Sequence, residues 1–179
     1  MSAFVTSDLH IGHSKILSFV APDGSPLRPF SCLEEMHQTI QERWNAKVHK
    51  KDNVYVLGDV AFSNTALRLL EGFNGRKVLI AGNHDRLPAK LYLQYFDDIR
   101  GAYFRDGLIF THVPVHPACL SGHYRGNVHG HLHAYQVMDN GKVDQRFFNA
   151  CLERNDFAPV PLELIKDFFK GSGESSPIL

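Results

Sequence analysis

The chain has 179 residues, 44% of them hydrophobic, and its 19 basic side chains are balanced by 19 acidic ones. That length and composition suit one domain with a sizeable core and exclude a disordered chain. The charge balance supplies no electrostatic reason to track a long polyanion, so no extended nucleic-acid groove is expected.

In chain order, the first element is an apolar run, Ala3-Phe4-Val5-Thr6-Ser7, that ends in Asp8-Leu9-His10. The opening carries no basic leader or apolar signal core, and no run approaches the roughly 18–20 apolar residues of a membrane span. A soluble, cytoplasmic protein without membrane attachment is therefore expected. Cys32, Cys119 and Cys151 are odd in number and widely spaced, which suits reduced thiols better than disulfides or a zinc site.

Ser31-Cys32-Leu33-Glu34 fits an S-x-x-E capping box, and Leu33, Met36, Ile40 and Trp44 recur at helical spacing behind it. The spacing predicts a helix from residue 33 through 48. Val54-Tyr55-Val56-Leu57 then runs into Gly58-Asp59, a helix candidate covers residues 66–73, and Lys77-Val78-Leu79-Ile80-Ala81 runs into Gly82-Asn83-His84-Asp85. A short helix is expected over residues 88–96, after Pro88.

From Ile99 onward the pattern shifts to strands joined by Gly and Asn turns, with an antiparallel character. Leu108-Ile109-Phe110-Thr111 leads into His112, and Asn127-Val128-His129 leads into Gly130-His131-Leu132-His133. Asp139-Asn140-Gly141 is a hairpin signal that would join residues 135–138 to 142–148. Residues 162–169 form the last helix candidate, behind Pro159 and Pro161. The expected organisation is one domain over residues 1–170 and a flexible Gly/Ser-rich tail over 171–179. The fold class is α/β.

Five strand-like runs thus end in Asp, Asn or His. Strands buried on both faces read as near-continuous apolar stretches, and α/β sheets bind ligands beyond the carboxyl ends of their strands. If the backbone stays extended, positions i and i+2 share a face, so Asp8 with His10, and His131 with His133, would each address one cluster. Asp59, Asn83 and His112 would enter from three other strands. Gly58, Gly82 and Gly130 precede these residues, where a missing side chain permits close backbone approach.

Imidazole, carboxylate and amide-oxygen donors without thiolate suit manganese, iron, zinc or similar divalent ions. Seven donors exceed the four of a closed structural zinc site and match two adjacent ions sharing one carboxylate. Such a pair, about 3.5–4 Å apart, activates water and stabilises the attacking and leaving oxygens of a phosphate ester.

Taken in order, Asp8-x-His10, Gly58-Asp59, Gly82-Asn83-His84-Asp85, His112 and Gly130-His131-x-His133 resemble the signature of calcineurin-like metallophosphoesterases, over roughly residues 4–170. The chain is similar to small single-domain phosphoesterases of bacteria and phages. That likeness rests on Ser7-Asp8-Leu9-His10-Ile11-Gly12-His13, Arg28-Pro29-Phe30, Glu42-Arg43-Trp44-Asn45 and Asn127-Val128-His129-Gly130-His131-Leu132-His133. The resemblance implies a β-sandwich flanked by helices in four layers, α/β/β/α. It implies a first ion on Asp8, His10 and His133, a second on Asn83, His112 and His131, and Asp59 bridging. His84 would face the substrate and protonate the leaving oxygen or stabilise transition-state charge, with Asp85 orienting or tuning its ring. The implied cofactors are two divalent metal ions, Mn2+ first, with Fe, Ni or Zn as alternatives.

The implied activity is hydrolysis of a small phosphate ester, nucleotide-like compounds included, by a phosphodiesterase or phosphatase. The family's protein phosphatases extend the second motif to Gly-Asp-x-Val-Asp-Arg-Gly, whereas here Asp59 is followed by Val60-Ala61-Phe62-Ser63-Asn64. The third possibility is a non-catalytic scaffold binding a protein partner, which the intact ligand set and His84 disfavour. No nucleophile elbow, phosphate loop or dinucleotide fingerprint is present.

Arg86, Arg28 and Arg125 are candidates to hold phosphate oxygens. His13 and His116 lie close to ligands in sequence and are candidates for ligand support or substrate contact. His37, His49, His123 and His129 are expected to be ordinary helix, loop or core histidines.

Overall fold

The computed structural model describes residues 1–171. Its first sheet holds β1 (Ala3–Thr6), β2 (Asn53–Val56), β3 (Arg76–Ile80) and β4 (Asp98–Arg100) in parallel. The second contains β5 (Tyr103–Arg105), β6 (Leu108–Phe110), β7 (Gly126–His129) and β10 (Phe147–Asn149), in the order β10-β7-β6-β5. Between them in sequence, β8 (Met138–Asp139) and β9 (Lys142–Val143) form a separate hairpin, and β11 (Val160–Pro161) borders β1 antiparallel.

Strands β1, β2 and β3 of the first sheet bury both faces, and alternation divides them between two cores. Phe4, Val54, Val56 and Leu79 join the core under the helices, whereas Val5, Tyr55, Leu57 and Ile80 meet Leu108, Phe110 and Val128 of the second sheet. The sheets therefore form a mixed parallel and antiparallel α/β sandwich with flanking helices, the expected fold class.

On one outer face, α1 (Leu33–Lys47) presents Met36, Ile40 and Trp44. All three are fully buried, each contributing about 1.5–3 kcal/mol of apolar transfer, and the Trp44 indole N–H donates to the Asn74 carbonyl at 2.9 Å. Short helices α2 (Asn64–Leu67) and α3 (Ala89–Tyr92) follow β2 and β3, and α4 (Leu162–Gly171) closes the inter-sheet core with Leu162, Ile165 and Phe169. No helix among the described residues is long and apolar enough to cross a membrane.

Several local expectations change. Cys32, not Ser31, caps α1, its sulfur accepting from the Glu35 amide, while the Glu35 carboxylate accepts from the Ser31 amide and hydroxyl. The box is shifted by one residue because Glu35, rather than Glu34, lies over Ser31. The helix predicted over 66–73 is one α turn continued as a 3-10 helix from Arg68 to Gly72. The Asn140-Gly141 turn forms with both residues at positive φ, but its strands are two residues each. The chain beyond it pairs in parallel with β7, so the later portion is antiparallel at β5–β6, β8–β9 and where β11 meets β1, and parallel at β6–β7 and β7–β10. The tail expected over 171–179 lies, after Gly171, outside the described residues.

Candidate metal centre

All the motif residues sit beyond the carboxyl ends of β1, β2, β3, β6 and β7, on one rim. Their convergence, however, does not come from strand alternation. Asp8, His10, Asp59, His131 and His133 all have left-handed backbone, with φ of 59°, 50°, 53°, 68° and 51°. Non-glycine residues adopt this region seldom, and such strain gathers at functional sites. The strands have already ended, at Thr6, Val56 and His129, and tight turns carry the ligand candidates. This corrects the expectation of extended i, i+2 pairs.

The turns are held by one another. Amides of Asp8, His10 and Ile11 donate to the carbonyls of Gly58, Asp59 and Val60, at 2.9–3.0 Å. Asp85 ties β2 to β3, its carboxylate accepting from the amides of Asp59, Val60 and Gly82 at 2.8–2.9 Å. Burial, only partly offset by those amides, raises the Asp85 pKa. Its bonds hold backbone and the Tyr92 hydroxyl rather than the His84 ring, so its observed role differs from the expected orientation of that imidazole. Gly58 sits at φ 86°, where an added Cβ would come within 2.6 Å of the Gly82 backbone.

Each of the two central carboxylates has one anchored oxygen and one that faces imidazoles. Asp8 Oδ2 accepts from the Ser7 hydroxyl at 2.5 Å and the His131 amide at 2.9 Å, with the Cys151 thiol at 3.2 Å. Asp8 Oδ1 is buried without a hydrogen-bond partner, 3.5 Å from His10 Nε2 and 3.8 Å from His133 Nε2. Asp59 Oδ1 accepts from the His84 amide at 2.9 Å, while its Oδ2 lies 3.7 Å from His10 Nε2 and 3.5 Å from His112 Nε2.

The histidines repeat this division. His112 Nδ1 sits 2.7 Å from the Leu57 carbonyl, which can only accept, so the proton belongs on Nδ1. In the neutral ring, Nε2 then turns its lone pair toward Asn83 Oδ1 at 2.8 Å, with His131 Nδ1 at 3.2 Å. His133 Nδ1 meets Glu153 Oε1 at 3.0 Å and His10 Nδ1 meets His13 Nδ1 at 3.2 Å. His10 Nε2, like Asp8 Oδ1, is buried without a partner. Bare lone pairs crowded together repel one another unless a cation lies among them. Asp8, His10 and His133, and likewise Asp8, Asp59 and His112, bring ligand atoms within 4.8 Å of one another. The donor set fits divalent ions, and the His112 and His133 rings are fixed from behind, by the Leu57 carbonyl and the Glu153 carboxylate, as metal-binding histidines are.

Protonation agrees. Burial lowers the pKa of His10 and, with the neighbouring His112, that of His131, keeping both rings neutral as ligation demands. Burial and the His10 ring push His13 down to about 4. Burial opposes Asp8 ionisation, but the facing imidazoles of His10, His133 and His112 hold its carboxyl well below the usual range.

The remaining candidates divide. The exposed His84 ring packs on Phe62 with centroids 5.3 Å apart and lies 6.1 Å from the His10 ring. Arg86 donates to the Asn83 carbonyl at 3.0 Å and shares a recess with Phe62 and His84. His13 stacks on Phe62 at 4.2 Å. His116 instead caps a 3-10 turn, accepting from the Ala118 amide. Arg125 precedes β7, at the opposite end of that strand from His131. His129 is buried with Nδ1 on the Gly130 carbonyl, and His37 accepts the Gly12 amide.

Arg28 is no phosphate ligand. It is wholly buried, donating to the carbonyls of Leu9 and Asp8 and to Glu153. Glu153, absent from the sequence-based candidates, follows β10 onto the same rim and belongs to no recognised spacing. Its only sequence signal is an acidic residue just past an apolar run.

The family model described as calcineurin-like phosphoesterase matches residues 1–175. An uncharacterized protein of Methanocaldococcus jannaschii is 31% identical over 169 residues, covering 90% of this chain and 88% of that protein. The gene 66 protein of Mycobacterium phage L5 is 36% identical over 91 residues, 47% of this chain and 40% of that protein. A crystal structure of a protein of unknown function from Aquifex aeolicus shares the fold, with a TM-score of 0.69 at 21% identity, covering 93% of this chain and 98% of the other.

Proposed function

This chain belongs to the calcineurin-like phosphoesterase family, and from that premise we propose that it hydrolyses a small phosphate ester at a centre holding two divalent ions. One observation carries the reading: Asp8 Oδ1 and His10 Nε2 are buried 3.5 Å apart with no hydrogen-bond partner, beside Asp59, which faces a second group of donors. A buried polar atom left bare costs about 1–3 kcal/mol, and a cation between these atoms removes that cost.

Asp8, His10 and His133 would hold one ion, and Asn83, His112 and His131 the other, with Asp59 shared. Manganese is the first choice for this donor set, with iron, nickel and zinc of the same class. Such a pair supplies an activated water and positive charge for the phosphoryl oxygens. The chain supplies the rest. His84 has its backbone pinned to Asp59 and its ring exposed at the mouth, where it gives a proton to the leaving oxygen. Arg86, held against the Asn83 carbonyl, adds positive charge for the phosphate on that side. The free thiols of Cys32, Cys119 and Cys151 suit a reducing, cytoplasmic setting.

The test is metal analysis combined with turnover. Chelated protein reconstituted with manganese is expected to take up two ions per chain and to hydrolyse p-nitrophenyl phosphate or bis(p-nitrophenyl) phosphate. Two bound ions without turnover of any phosphate ester would leave a metal-binding scaffold instead. A single ion would refute the shared role of Asp59.

A further inference from the structure

Two recesses flank the metal-binding cluster, and they differ in chemistry. The smaller, about 220 Å³, is lined by Ala61, Phe62, His84, Arg86 and Leu87. The larger, about 510 Å³, is lined by Phe19, Val20, Leu27, Leu132 and Tyr135, with Ser18 and the ligand candidates His131 and His133 at its inner end. The His10 ring stands between them, its centroid 5.0 Å from that of His133 and 6.1 Å from that of His84. An aromatic wall joins the two: Phe19 meets His13 edge-on at 5.8 Å, His13 stacks on Phe62 at 4.2 Å, and Phe62 packs on His84 at 5.3 Å.

A phosphate monoester carries one organic substituent and needs one recess beside the ions. A diester carries two, one that leaves and one that stays on phosphorus. The proton donor lines the smaller recess, so the leaving arm belongs there. The retained arm then points into the larger groove. Its lining includes no carboxylate, ammonium or guanidinium, so a charged arm would lose hydration there without compensation. An uncharged ring would instead cover apolar surface that now faces water, for Phe19, Val20 and Tyr135 are 43%, 64% and 59% exposed. Flat side chains at the rim, Phe19 and Tyr135, suit stacking against a flat guest.

On the strength of the phosphoester-hydrolase reading, we propose that the substrate is a phosphodiester whose retained arm bears an uncharged aromatic ring, an aryl group or a nucleobase, seated in the groove of Phe19, Val20, Leu27, Leu132 and Tyr135. The reaction balances simply. The water oxygen bonds to phosphorus, the bond from phosphorus to the leaving oxygen breaks, and that oxygen takes its proton from His84. Protons released by the water replace the one His84 gives up. The products are an alcohol or phenol and a monoester still carrying the ring.

The test compares two diesters with the same leaving group on manganese-loaded protein: bis(p-nitrophenyl) phosphate retains an aryl arm, and methyl p-nitrophenyl phosphate retains a methyl. The wild type is expected to favour the first in kcat/KM by about 10-fold or more beyond their relative rates in manganese solution without protein, the scale of an apolar pocket contact. The paired exposed changes Val20→Ser and Tyr135→Ser should lower that preference about 10-fold, chiefly through a raised KM. Binding of phenyl phosphate, followed by calorimetry, should weaken in the same variant. The control Leu164→Ser, an equally exposed apolar residue on α4, should keep the wild-type ratio. Turnover with a ratio that the paired variant leaves unmoved overturns the groove assignment alone. So does a wild-type dimer that the paired changes dissociate while the ratio holds, because the groove would then be an interface between copies. Preference for p-nitrophenyl phosphate over both diesters overturns the diester assignment. No turnover of any ester by protein carrying two ions refutes the hydrolase reading beneath it.

Discussion

Glu153 joins Arg28 to His133: its Oε1 accepts from Arg28 Nε at 2.8 Å and from His133 Nδ1 at 3.0 Å. The same guanidinium donates to the carbonyls of Asp8 and Leu9. One buried cation therefore braces the turn that carries Asp8 and His10 and, through Glu153, sets the tautomer of His133. These are the three residues proposed for one ion. Burial works against the Glu153 charge, yet Arg28 and His133 bring its pKa below the usual value.

Glu153→Gln keeps the side-chain shape but removes the charge behind His133. The expected result is a 10–100-fold loss of affinity for one of the two ions, the usual scale for a partner behind a ligand, with the other ion held as before. Stepwise manganese titration by calorimetry checks this. Equal weakening of both ions, or of neither, would contradict a role specific to His133.

Arg28→Met removes a charge that touches two carbonyls and a carboxylate in a fully buried position. Breaking a buried pair in this way costs about 3–5 kcal/mol. Urea unfolding of the metal-free protein should show that loss. A change below about 1 kcal/mol would mean that the guanidinium is dispensable to the turn.

His84→Ala leaves the amide that holds Asp59 and deletes only the exposed ring. Metal content is expected to stay at the wild-type level while kcat falls about 100-fold or more, the scale of lost proton donation. A variant that loses ions instead would make His84 a ligand.

His37 supplies a pH dependence away from the centre. Burial lowers its pKa from 6.5, and its Nε2 accepts the Gly12 amide at 3.1 Å, which requires the neutral ring. The unfolded chain therefore takes up the proton first. The resulting stability is complete above about 6.5 and is lost as pH falls through the lower folded value. Urea midpoints of the metal-free protein at pH 7 and pH 5 should differ less for His37→Gln than for the wild type. An identical difference would show that the ring already titrates normally in the folded chain.

The gathering of Asp8, His10, Asp59, Asn83, His112, His131 and His133 on one rim was legible because donor chemistry restricts residue type, and because apolar runs mark where strands end. The runs themselves were legible from burial on two faces, as Val5 and Phe4 show by entering different cores. The manner of convergence was not. Left-handed backbone at Asp8 and His10 depends on pairing with Gly58 and Asp59, about fifty residues away in the chain. The short partners of the Asn140-Gly141 turn were hidden for a similar reason, since residues 147–149 were claimed by β7 rather than by the hairpin.

Residue order by itself determined the class of chemistry, because few side chains bind divalent ions and their spacing tracks strand ends. Only the tertiary structure decided that Arg28 is a buried brace rather than a phosphate ligand, that Glu153 stands behind His133, and that an apolar groove opens beside the centre. Those outcomes depend on long-range packing: a charged or apolar side chain has the same local identity whether neighbours from elsewhere in the chain enclose it or leave it in water.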